Sequence, residues 1–309
     1  MRRLAILIIV FVSLLFILDR SFGIIMEKVL AETVKGDWGR SNYLMKEATG
    51  DVIVLGSSRA IHHYNVDILS DTLGLSCINA GEDGMGILLM KSRFNQLIKR
   101  RVPQMVIYEI HPEYDLFAES DNSKYLKYLR PYVWLDEIYS SVLEVSPNEK
   151  WELSSKMYQY NSIFIDIIVQ WISRVPVMAR ESHWSPLNGV FDGKVDSSKI
   201  TGTFAIDALK EQYLRDLCVS CRNNNILLLF AMSPFYNEDT YTVPPSLEDM
   251  IIEYQIPFIN HYCDSSFVFN PSLFVDTAHL NERGANLFSS QIASEVKEIM
   301  DNKGVLSTN

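Results

Sequence analysis

Residues 52–59 read Val52-Ile53-Val54-Leu55-Gly56-Ser57-Ser58-Arg59, an apolar run that stops at a glycine and two small hydroxyl residues. Helix-compatible sequence follows directly. An apolar strand that passes through a short turn into a helix is typical of a parallel sheet covered by helices on both faces. A serine in that turn lies at the carboxyl edge of the sheet, where such folds bind their ligands. We therefore expect an α/β fold with Ser58, or its neighbour Ser57, at this edge.

Short β-rich segments alternate with helical patterns on the C-terminal side of this run. Strands are predicted over 51–55, 75–79, 104–110, 226–232 and 257–260. Helices are predicted over 59–73, 85–101, 204–223 and 282–300. The alternation is typical of a doubly wound parallel sheet.

The composition limits what the chain can be. It has 309 residues, of which 48% are hydrophobic and 11% aromatic, so it can bury a full core, and we expect one main domain with an insertion. The formal net charge is -10 at pH 7. Because nucleic-acid affinity comes mostly from clustered Lys and Arg, this charge argues against nucleic acid as a partner.

An apolar stretch, residues 4–18, opens the chain and is interrupted only by Ser13. As a helix it measures about 22 Å, which is short of the ~30 Å hydrocarbon core of a bilayer unless residues 22–26 extend it. Basic residues precede the stretch and a charged pair follows it. This pattern is typical of a signal sequence or a signal anchor.

The segment Ser21-Phe22-Gly23 is compatible with a cleavage site, but a charged pair directly before such a site is unusual. We interpret residues 1–26 as an uncleaved single-pass membrane anchor and residues 27–50 as a linker. A cleaved signal sequence and a buried N-terminal helix are the alternatives. The basic N-terminus would stay in the cytoplasm, and the rest of the chain would be exported to the periplasm or cell exterior.

The segment 116–201 fits the alternation poorly, and we interpret it as an insertion after the third strand. It contains a helical pattern over 162–174 and many aromatic residues: Tyr125, Tyr128, Tyr132, Trp134, Tyr139, Trp151, Tyr158, Tyr160, Trp171 and Trp184. It is expected to form either a lid or substrate-binding cap over the carboxyl edge, or a helical subdomain with an aromatic core. The main domain then covers 51–301, and residues 302–309 form a tail.

The four cysteines are too few for a disulfide scaffold at this length. Cys218 and Cys221 share one face of a predicted helix, but the sequence offers no second Cys pair or His cluster nearby to complete a zinc site. We expect them to be buried packing residues, with a redox or metal role as the alternative. No metal site is predicted.

The segment Asp276-Thr277-Ala278-His279-Leu280-Asn281 places an acid three residues before a histidine at the start of the last predicted helix. A serine hydroxyl is a poor nucleophile unless a base takes its proton, and a neutral imidazole oriented by a carboxylate suits that task. With Ser58, these residues supply the parts of a Ser-His-Asp triad.

Three segments resemble sequence blocks of the SGNH/GDSL-like hydrolase superfamily. They are Gly56-Ser57-Ser58 after the first strand, Asn79-Ala80-Gly81-Glu82-Asp83-Gly84 after the second, and Asp276-x-x-His279 before the last helix. The resemblance covers the sheet and its helices, but not the anchor or the insertion. It implies a flavodoxin-like, three-layer α/β/α fold and an activity among esterases, lipases, carbohydrate O-acetylesterases and O-acyltransferases.

The resemblance assigns a role to individual residues. Ser58 corresponds to the nucleophile. Ser57 stands in place of the family's aspartate and is the alternative candidate for the nucleophile. His279 and Asp276 correspond to the base and its orienting acid. The backbone N–H of Ser58 and that of Gly84, with Gly81 as the alternative, correspond to the oxyanion hole.

Other histidines compete for the role of base. His62 lies one turn after Ser58, and His111 ends the third predicted strand. His63 lies on the same predicted helix as His62. His183 and His261 lack a nearby acid in a recognisable pattern, so His279, which has one, is preferred.

The fourth family block, Gly-x-Asn-Asp, is absent. Its place falls near His111-Pro112-Glu113-Tyr114, so the family's asparagine donor to the oxyanion is missing. Either Tyr114 or another donor substitutes for it, or the enzyme is slow or acts as a transferase, or the site is not catalytic. The residues expected to line a pocket are Arg59, His62, Glu109, Glu113 and Tyr114.

The sequence thus predicts an exported, membrane-anchored serine esterase that needs no cofactor and acts on O-acetyl or other ester groups of envelope polysaccharide. The alternatives are an O-acyltransferase on the same scaffold and a non-catalytic glycan-binding or assembly protein. The oligomeric state is left open.

Overall fold

The computed structural model describes residues 1–173, 184–194, 205–236 and 243–304. These residues belong to two compact units. One is formed by residues 1–43 and the described part of 121–181, and the other by residues 44–120 and the described part of 182–309.

The described strands are β1 Val52–Gly56, β2 Cys77–Asn79, β3 Met105–Glu109, β4 Leu227–Met232 and β5 Phe258–Asn260. The described α-helices are α1 Arg2–Glu32, α2 Gly36–Lys46, α3 Ser58–His63, α4 Val66–Leu73, α5 Ile87–Arg100, α6 Pro112–Asp115, α7 Ile138–Val145, α8 Glu149–Glu152, α9 Lys156–Gln159, α10 Phe164–Ile172, α11 Ala208–Asn223, α12 Pro245–Tyr254, α13 Ser265–Val268 and α14 Glu282–Asn302. Short 3-10 helices cover Asn122–Tyr128, Arg130–Tyr132 and Pro271–Leu273.

The sheet has the order β2-β1-β3-β4-β5, and every pairing is parallel. This is the flavodoxin-like order of the doubly wound folds. It confirms the predicted fold class. In the register of β1 with β3, Gly56 lies opposite Glu109, so the turns that follow these two strands are neighbours at the carboxyl edge.

Helices cover both faces of the sheet because alternate residues of each strand point to opposite sides. Val52 and Val54 of β1 share a core cluster with apolar residues of α3, α4 and α14. Helices α5 and α11 pack against each other and against β1 and β4. Strands β1 and β3 are buried along their full length, as expected of strands between two helical layers.

Three local features differ from the sequence prediction. Two helices, α3 and α4, replace the single helix expected over 59–73. The side chain of Asn65 accepts a hydrogen bond from the Asp67 N–H at 3.1 Å and so begins α4 as its N-cap. Helix α12, which precedes β5, was not predicted. Residues 27–50, expected as a linker, carry the last part of α1 and all of α2.

The unit that contains α1 has an aromatic core. Tyr125, Tyr132 and Tyr160 are buried within it, and the ring of Trp38 lies 5.1 Å from that of Tyr128. The described part of the insertion before residue 174 is therefore a helical subdomain. Its buried aromatic residues are Tyr125, Tyr128, Tyr132 and Tyr160, whereas Trp134, Tyr139, Trp151 and Trp171 are exposed. The described residues 184–194 belong to the sheet-containing unit, whereas His183 and residues 195–204 lie outside the described ranges.

The cysteines of α11 are buried thiols. Cys218 and Cys221 are both free, and burial raises the pKa of the Cys218 thiol to about 12 and that of Cys221 still higher. Because the thiolate is the reactive form, such thiols are chemically inert. The burial of Cys218 and Cys221 agrees with the prediction that they are packing residues.

Candidate active site

The turn after β1 places Ser58 at the carboxyl edge of the sheet. Gly56 ends β1 with φ 142°, and a Cβ atom there would lie 2.6 Å from the carbonyl oxygen of Glu109, so only glycine fits. Ser57 follows in an extended conformation as the N-cap, and Ser58 is the first residue of α3. Its backbone N–H therefore has no partner within the helix.

The two serines differ sharply in environment. The Ser57 hydroxyl is fully buried and makes no hydrogen bond to any described residue. The Ser58 Oγ lies 2.8 Å from Nε2 of His279. Of the two candidates in the sequence, the structure pairs Ser58 with an imidazole.

The turn before α14 holds His279 against Asp276. The Asp276 carboxylate accepts the backbone N–H of Ala278 at 2.7 Å and that of His279 at 2.9 Å. Both of its oxygens lie 3.0 Å from Nδ1 of His279. Asn281 then caps α14 by accepting the Gly284 N–H at 3.0 Å, and this explains the Asn-x-x-Gly pattern that follows the histidine.

The tautomer of His279 follows from these contacts. Partial burial acts to raise the pKa of Asp276, but hydrogen bonds from the His279 ring and from the Ala278 N–H outweigh it and hold that pKa below its usual value. Since an ionised carboxylate only accepts hydrogen bonds, Nδ1 of His279 carries a proton. Nε2 is then the acceptor for the Ser58 hydroxyl proton.

A second histidine lies behind this contact. His63 is fully buried, and its Nε2 accepts the backbone N–H of Leu280 at 2.9 Å. Its Nδ1 lies 2.7 Å from Ser233 Oγ, which donates to Glu109 Oε1 at 2.8 Å. Burial, then the charges of His279 and Arg59, hold the pKa of His63 well below its usual value. This neutral ring fixes the main chain directly after His279.

Arg59 and Glu109 do not line an open pocket. Both are buried, with Nε of Arg59 3.2 Å from Oε1 of Glu109. Arg59 also donates to the Ile110 carbonyl at 2.8 Å, and Glu109 accepts the Tyr64 hydroxyl at 2.5 Å. The ion pair between Arg59 and Glu109 thus connects the turn after β1, which carries Ser58, with the end of β3.

His62 borders the triad residues. Its ring centroid lies 5.9 Å from that of His279, at nearly right angles. Nδ1 faces the Ser185 carbonyl at 2.6 Å and Nε2 faces a carboxylate oxygen of Asp83 at 2.9 Å. Both partners accept hydrogen bonds, so this geometry favours the imidazolium form. His62 is therefore poorly suited to act as a base.

The two glycines of the second block differ in what their amides can do. The Gly81 N–H donates to Asn79 Oδ1 at 3.0 Å, and a Cβ there would lie 2.7 Å from the Cβ of Ala60. Gly84 has φ 65°, and the space where its Cβ would lie is open. Gly81 is thus required by close packing, whereas Gly84 lies beside open space.

The turn after β3 carries His111 where the family has its asparagine block. Its backbone N–H donates to Asp115 at 2.7 Å, and its ring lies 4.6 Å from the Tyr114 ring. Nδ1 of His111 is buried and has no hydrogen-bond partner among the described residues. Burial, then the charges of Arg59 and His279, hold the pKa of His111 well below its usual value. Glu113 is exposed on α6.

No family model matches the chain, and no curated protein matches it. Two similar solved structures are a lipolytic protein of the G-D-S-L family from Desulfitobacterium hafniense DCB-2 and an acetyl xylan esterase, AlAXEase. The first is 11% identical with a TM-score of 0.38, covering 79% of this chain and 98% of its own. The second is 10% identical with a TM-score of 0.39, covering 79% of this chain and 99% of its own.

The strand order, together with three sequence blocks gathered at one edge of the sheet, agrees with the resemblance found in the sequence. The chain has an α/β fold in which helices flank a parallel sheet of flavodoxin-like strand order. Sequence reasoning missed His63 and Ser233 as supports of the His279 turn. The only signal for His63 was its place on the helix that opens with Ser58.

Proposed function

We propose that the chain is a membrane-anchored, exported serine hydrolase that cleaves ester groups, with Ser58 as nucleophile, His279 as base and Asp276 as the orienting acid. The observation that carries this proposal is the pair of distances at His279: 2.8 Å from Nε2 to Ser58 Oγ and 3.0 Å from Nδ1 to Asp276. Both lie within hydrogen-bond reach, as a nucleophile and its base require.

The reaction follows from the proton positions. Ser58 Oγ attacks the ester carbonyl carbon as its proton passes to Nε2 of His279, and the carbonyl π electrons move to oxygen. The imidazolium is stabilised by Asp276. Collapse of the tetrahedral intermediate breaks the bond to the alcohol, which leaves with the proton from Nε2. Water then attacks the acyl-Ser58 with His279 again as base, and the acid is released.

The developing oxyanion needs donors in place before the reaction. The Ser58 N–H, at the start of α3, is one, and the Gly84 N–H is proposed as the second because that residue borders open space while the Gly81 N–H is already bonded. The family's asparagine is absent. Loss of one donor typically costs about 10² to 10³ in rate, so a slow hydrolase is expected unless a side chain of the His111 turn contributes.

The proposed substrate class follows from the proposed location of the protein in the cell. Helix α1 is long and apolar enough to cross a membrane, and Arg2 and Arg3 before its apolar stretch favour a cytoplasmic N-terminus. The triad residues would then face the periplasm or the cell exterior. O-acetylated polysaccharides of the envelope are the esters that an enzyme fixed there would meet.

A fluorophosphonate probe tests the nucleophile. The full chain should be labelled covalently, and Ser58→Ala should abolish labelling. Ser57→Ala is the matched control, because it removes the neighbouring hydroxyl, which is buried and unbonded within the described part of the chain; it should be labelled as the wild type is. Absence of labelling in folded wild-type protein, or its persistence in Ser58→Ala, would refute the proposal.

The products separate hydrolysis from transfer. Acetate release from an O-acetylated polysaccharide, lost in Ser58→Ala, supports the hydrolase. Transfer of the acetyl group to an added glycan without acetate release would instead identify an acyltransferase on the same triad.

A further inference from the structure

Helix α1 has two parts with different surroundings. Residues 4–12 and 14–18, except Ala5, are large apolar residues that are exposed to solvent, whereas Met26, Val29 and Leu30 are buried in the unit that contains α1. The change occurs near Asp19. The unit therefore begins at a defined level along the helix, and the apolar part projects beyond it.

Asp19 fixes that level by capping another helix. One of its carboxylate oxygens accepts the Ser155 hydroxyl at 2.6 Å and the Met157 N–H at 2.9 Å, and the other accepts the Lys156 N–H at 2.9 Å. These donors lie at the start of α9, where a helix leaves its N–H groups unpaired. Arg20 also donates to the Ser154 carbonyl.

Packing continues through the next turn of α1. The Phe22 ring lies 6.5 Å from that of Tyr160 and 5.8 Å from that of Phe164. A Cβ on Gly23 would lie 2.5 Å from Lys156 Cβ, so the two segments are in close contact there. Cleavage after Gly23 would remove Asp19 and Phe22 from these contacts. The unit is complete only with α1 retained.

Three large apolar side chains, Trp151, Met157 and Ile165, are exposed beside this junction, and we call them the collar. They are 75%, 53% and 61% exposed. The Met157 N–H itself donates to Asp19, and Ile165 follows Phe164, whose ring contacts that of Phe22. Lys150 Nζ lies 5.7 Å from the Trp151 ring centroid. Apolar rings with basic neighbours are typical of the membrane–water interface.

The length of the apolar stretch favours such a collar. Residues 4–18 span about 22 Å, some 8 Å less than a hydrocarbon core of ~30 Å. A span that is too short thins the bilayer and draws flanking residues into the interface. Since Met157 binds Asp19 at the end of the stretch, the collar is the surface that would be drawn in.

We propose that Trp151, Met157 and Ile165 lie in the lipid interface of the leaflet on the exported side. The helical subdomain then contacts the bilayer directly and is not joined to it by α1 alone. This rests on the membrane anchor proposed above, but not on the esterase activity. The occupant of the surface is the lipid bilayer.

Fluorescence quenching in vesicles tests the collar. The full chain carrying Cys263→Ser receives one new cysteine, at Val12, Trp151 or Trp171, labelled with an environment-sensitive dye; the other native cysteines are buried. Trp171 is the matched control, because its indole N–H donates to Glu32 at 3.2 Å, about 20 Å beyond Asp19 along α1. The vesicles contain phosphatidylcholine and phosphatidylglycerol, with or without nitroxide-labelled lipid.

Each pattern of quenching has one meaning. Loss of fluorescence at residue 151 comparable with that at residue 12, with residue 171 unaffected, supports the collar. Quenching at residue 12 but not at 151, or equal quenching at 151 and 171, overturns the collar and leaves the anchor standing. No quenching at residue 12 overturns both.

Discussion

Nε2 of His63 accepts the Leu280 N–H at 2.9 Å, and this bond ties the main chain beside His279 to the short helix that begins with Ser58. The proton on Nδ1 of His63 points to Ser233 Oγ, whose hydroxyl bonds Glu109 Oε1. The buried hydrogen bonds that link His63, Ser233 and Glu109 thus hold His279 at its distance from Ser58. Replacing any of these residues shifts the His279 turn without touching the reacting atoms.

We expect His63→Gln to slow fluorophosphonate labelling by about 10²-fold, since small misplacements of a reacting pair have effects of that size. A glutamine cannot reproduce both ring contacts, so the free energy of unfolding should also fall by about 1–3 kcal/mol. The measurements are labelling rate, kcat and KM, with kcat expected to fall more than KM changes.

His261→Gln is the control for His63. His261 bridges Asp264 at 2.8 Å and Glu295 at 2.9 Å, so its loss should destabilise the fold while labelling keeps its wild-type rate. If both variants lose labelling to the same extent, His63 acts only through stability.

Asp276→Asn should lower kcat by about 10⁴-fold, because an amide no longer fixes the proton on Nδ1 of His279. Asp83→Asn makes the same chemical change beside His62. The two carboxylates are comparably exposed, 54% and 63% at the side chain, so the pair is well matched. Ester hydrolysis in Asp83→Asn should stay within about tenfold of the wild type. A reversed result would make His62 the base.

Gly56→Ala should destabilise the sheet-containing unit by roughly 3 kcal/mol or more, because the new Cβ meets the Glu109 carbonyl oxygen and the backbone φ is positive. Gly74→Ala tests the backbone effect alone, since Gly74 has φ 67° with open space around its Cβ position; its cost should be about 1 kcal/mol. Urea unfolding followed by circular dichroism measures both. Equal costs would mean that the turn before Ser57 tolerates a side chain.

Asp115 gives a pH-dependent prediction. Burial raises the pKa of its carboxyl from 3.8 to about 6. Between these values the folded chain holds a proton that the unfolded chain has lost, so the stabilisation is full below 3.8 and disappears as pH rises through 6. Two pKa units correspond to about 3 kcal/mol.

Asp115→Asn removes this titration. The difference in unfolding free energy between wild type and variant should therefore shift by about 3 kcal/mol in favour of the variant between about pH 4 and pH 7. Asp301→Asn, at an exposed acid of α14, should show no such shift. A constant difference for Asp115→Asn would contradict the prediction.

The strands and the pairing of Asp276 with His279 could be predicted because their patterns are local. An apolar run that stops at Gly56, and an acid three residues before His279, can be identified within a single segment. The parallel sheet followed from the alternation of strand and helix, since parallel strands need helical crossovers.

The supports of the site could not be predicted, because they depend on contacts between distant segments. As a strand-end acid, Glu109 was expected to line a pocket, but Arg59, Tyr64 and Ser233 enclose it. The role of His63 could not be predicted, because its partners are a backbone N–H 217 residues away and a hydroxyl 170 residues away. The sequence left open whether the aromatic insertion is a cap or a helical subdomain, because only contacts between its segments bury Tyr125, Tyr132 and Tyr160.

The contact between Ser58 and His279 spans 221 residues. At a synthesis rate of about 5–20 residues per second, the hydroxyl precedes its imidazole by roughly 10 to 40 seconds. While the residues between them are being synthesised, the nascent chain therefore carries Ser58 without its imidazole partner. A chain that ends before His279 lacks the imidazole altogether, so the contact with Ser58 exists only in molecules that have been synthesised beyond this residue.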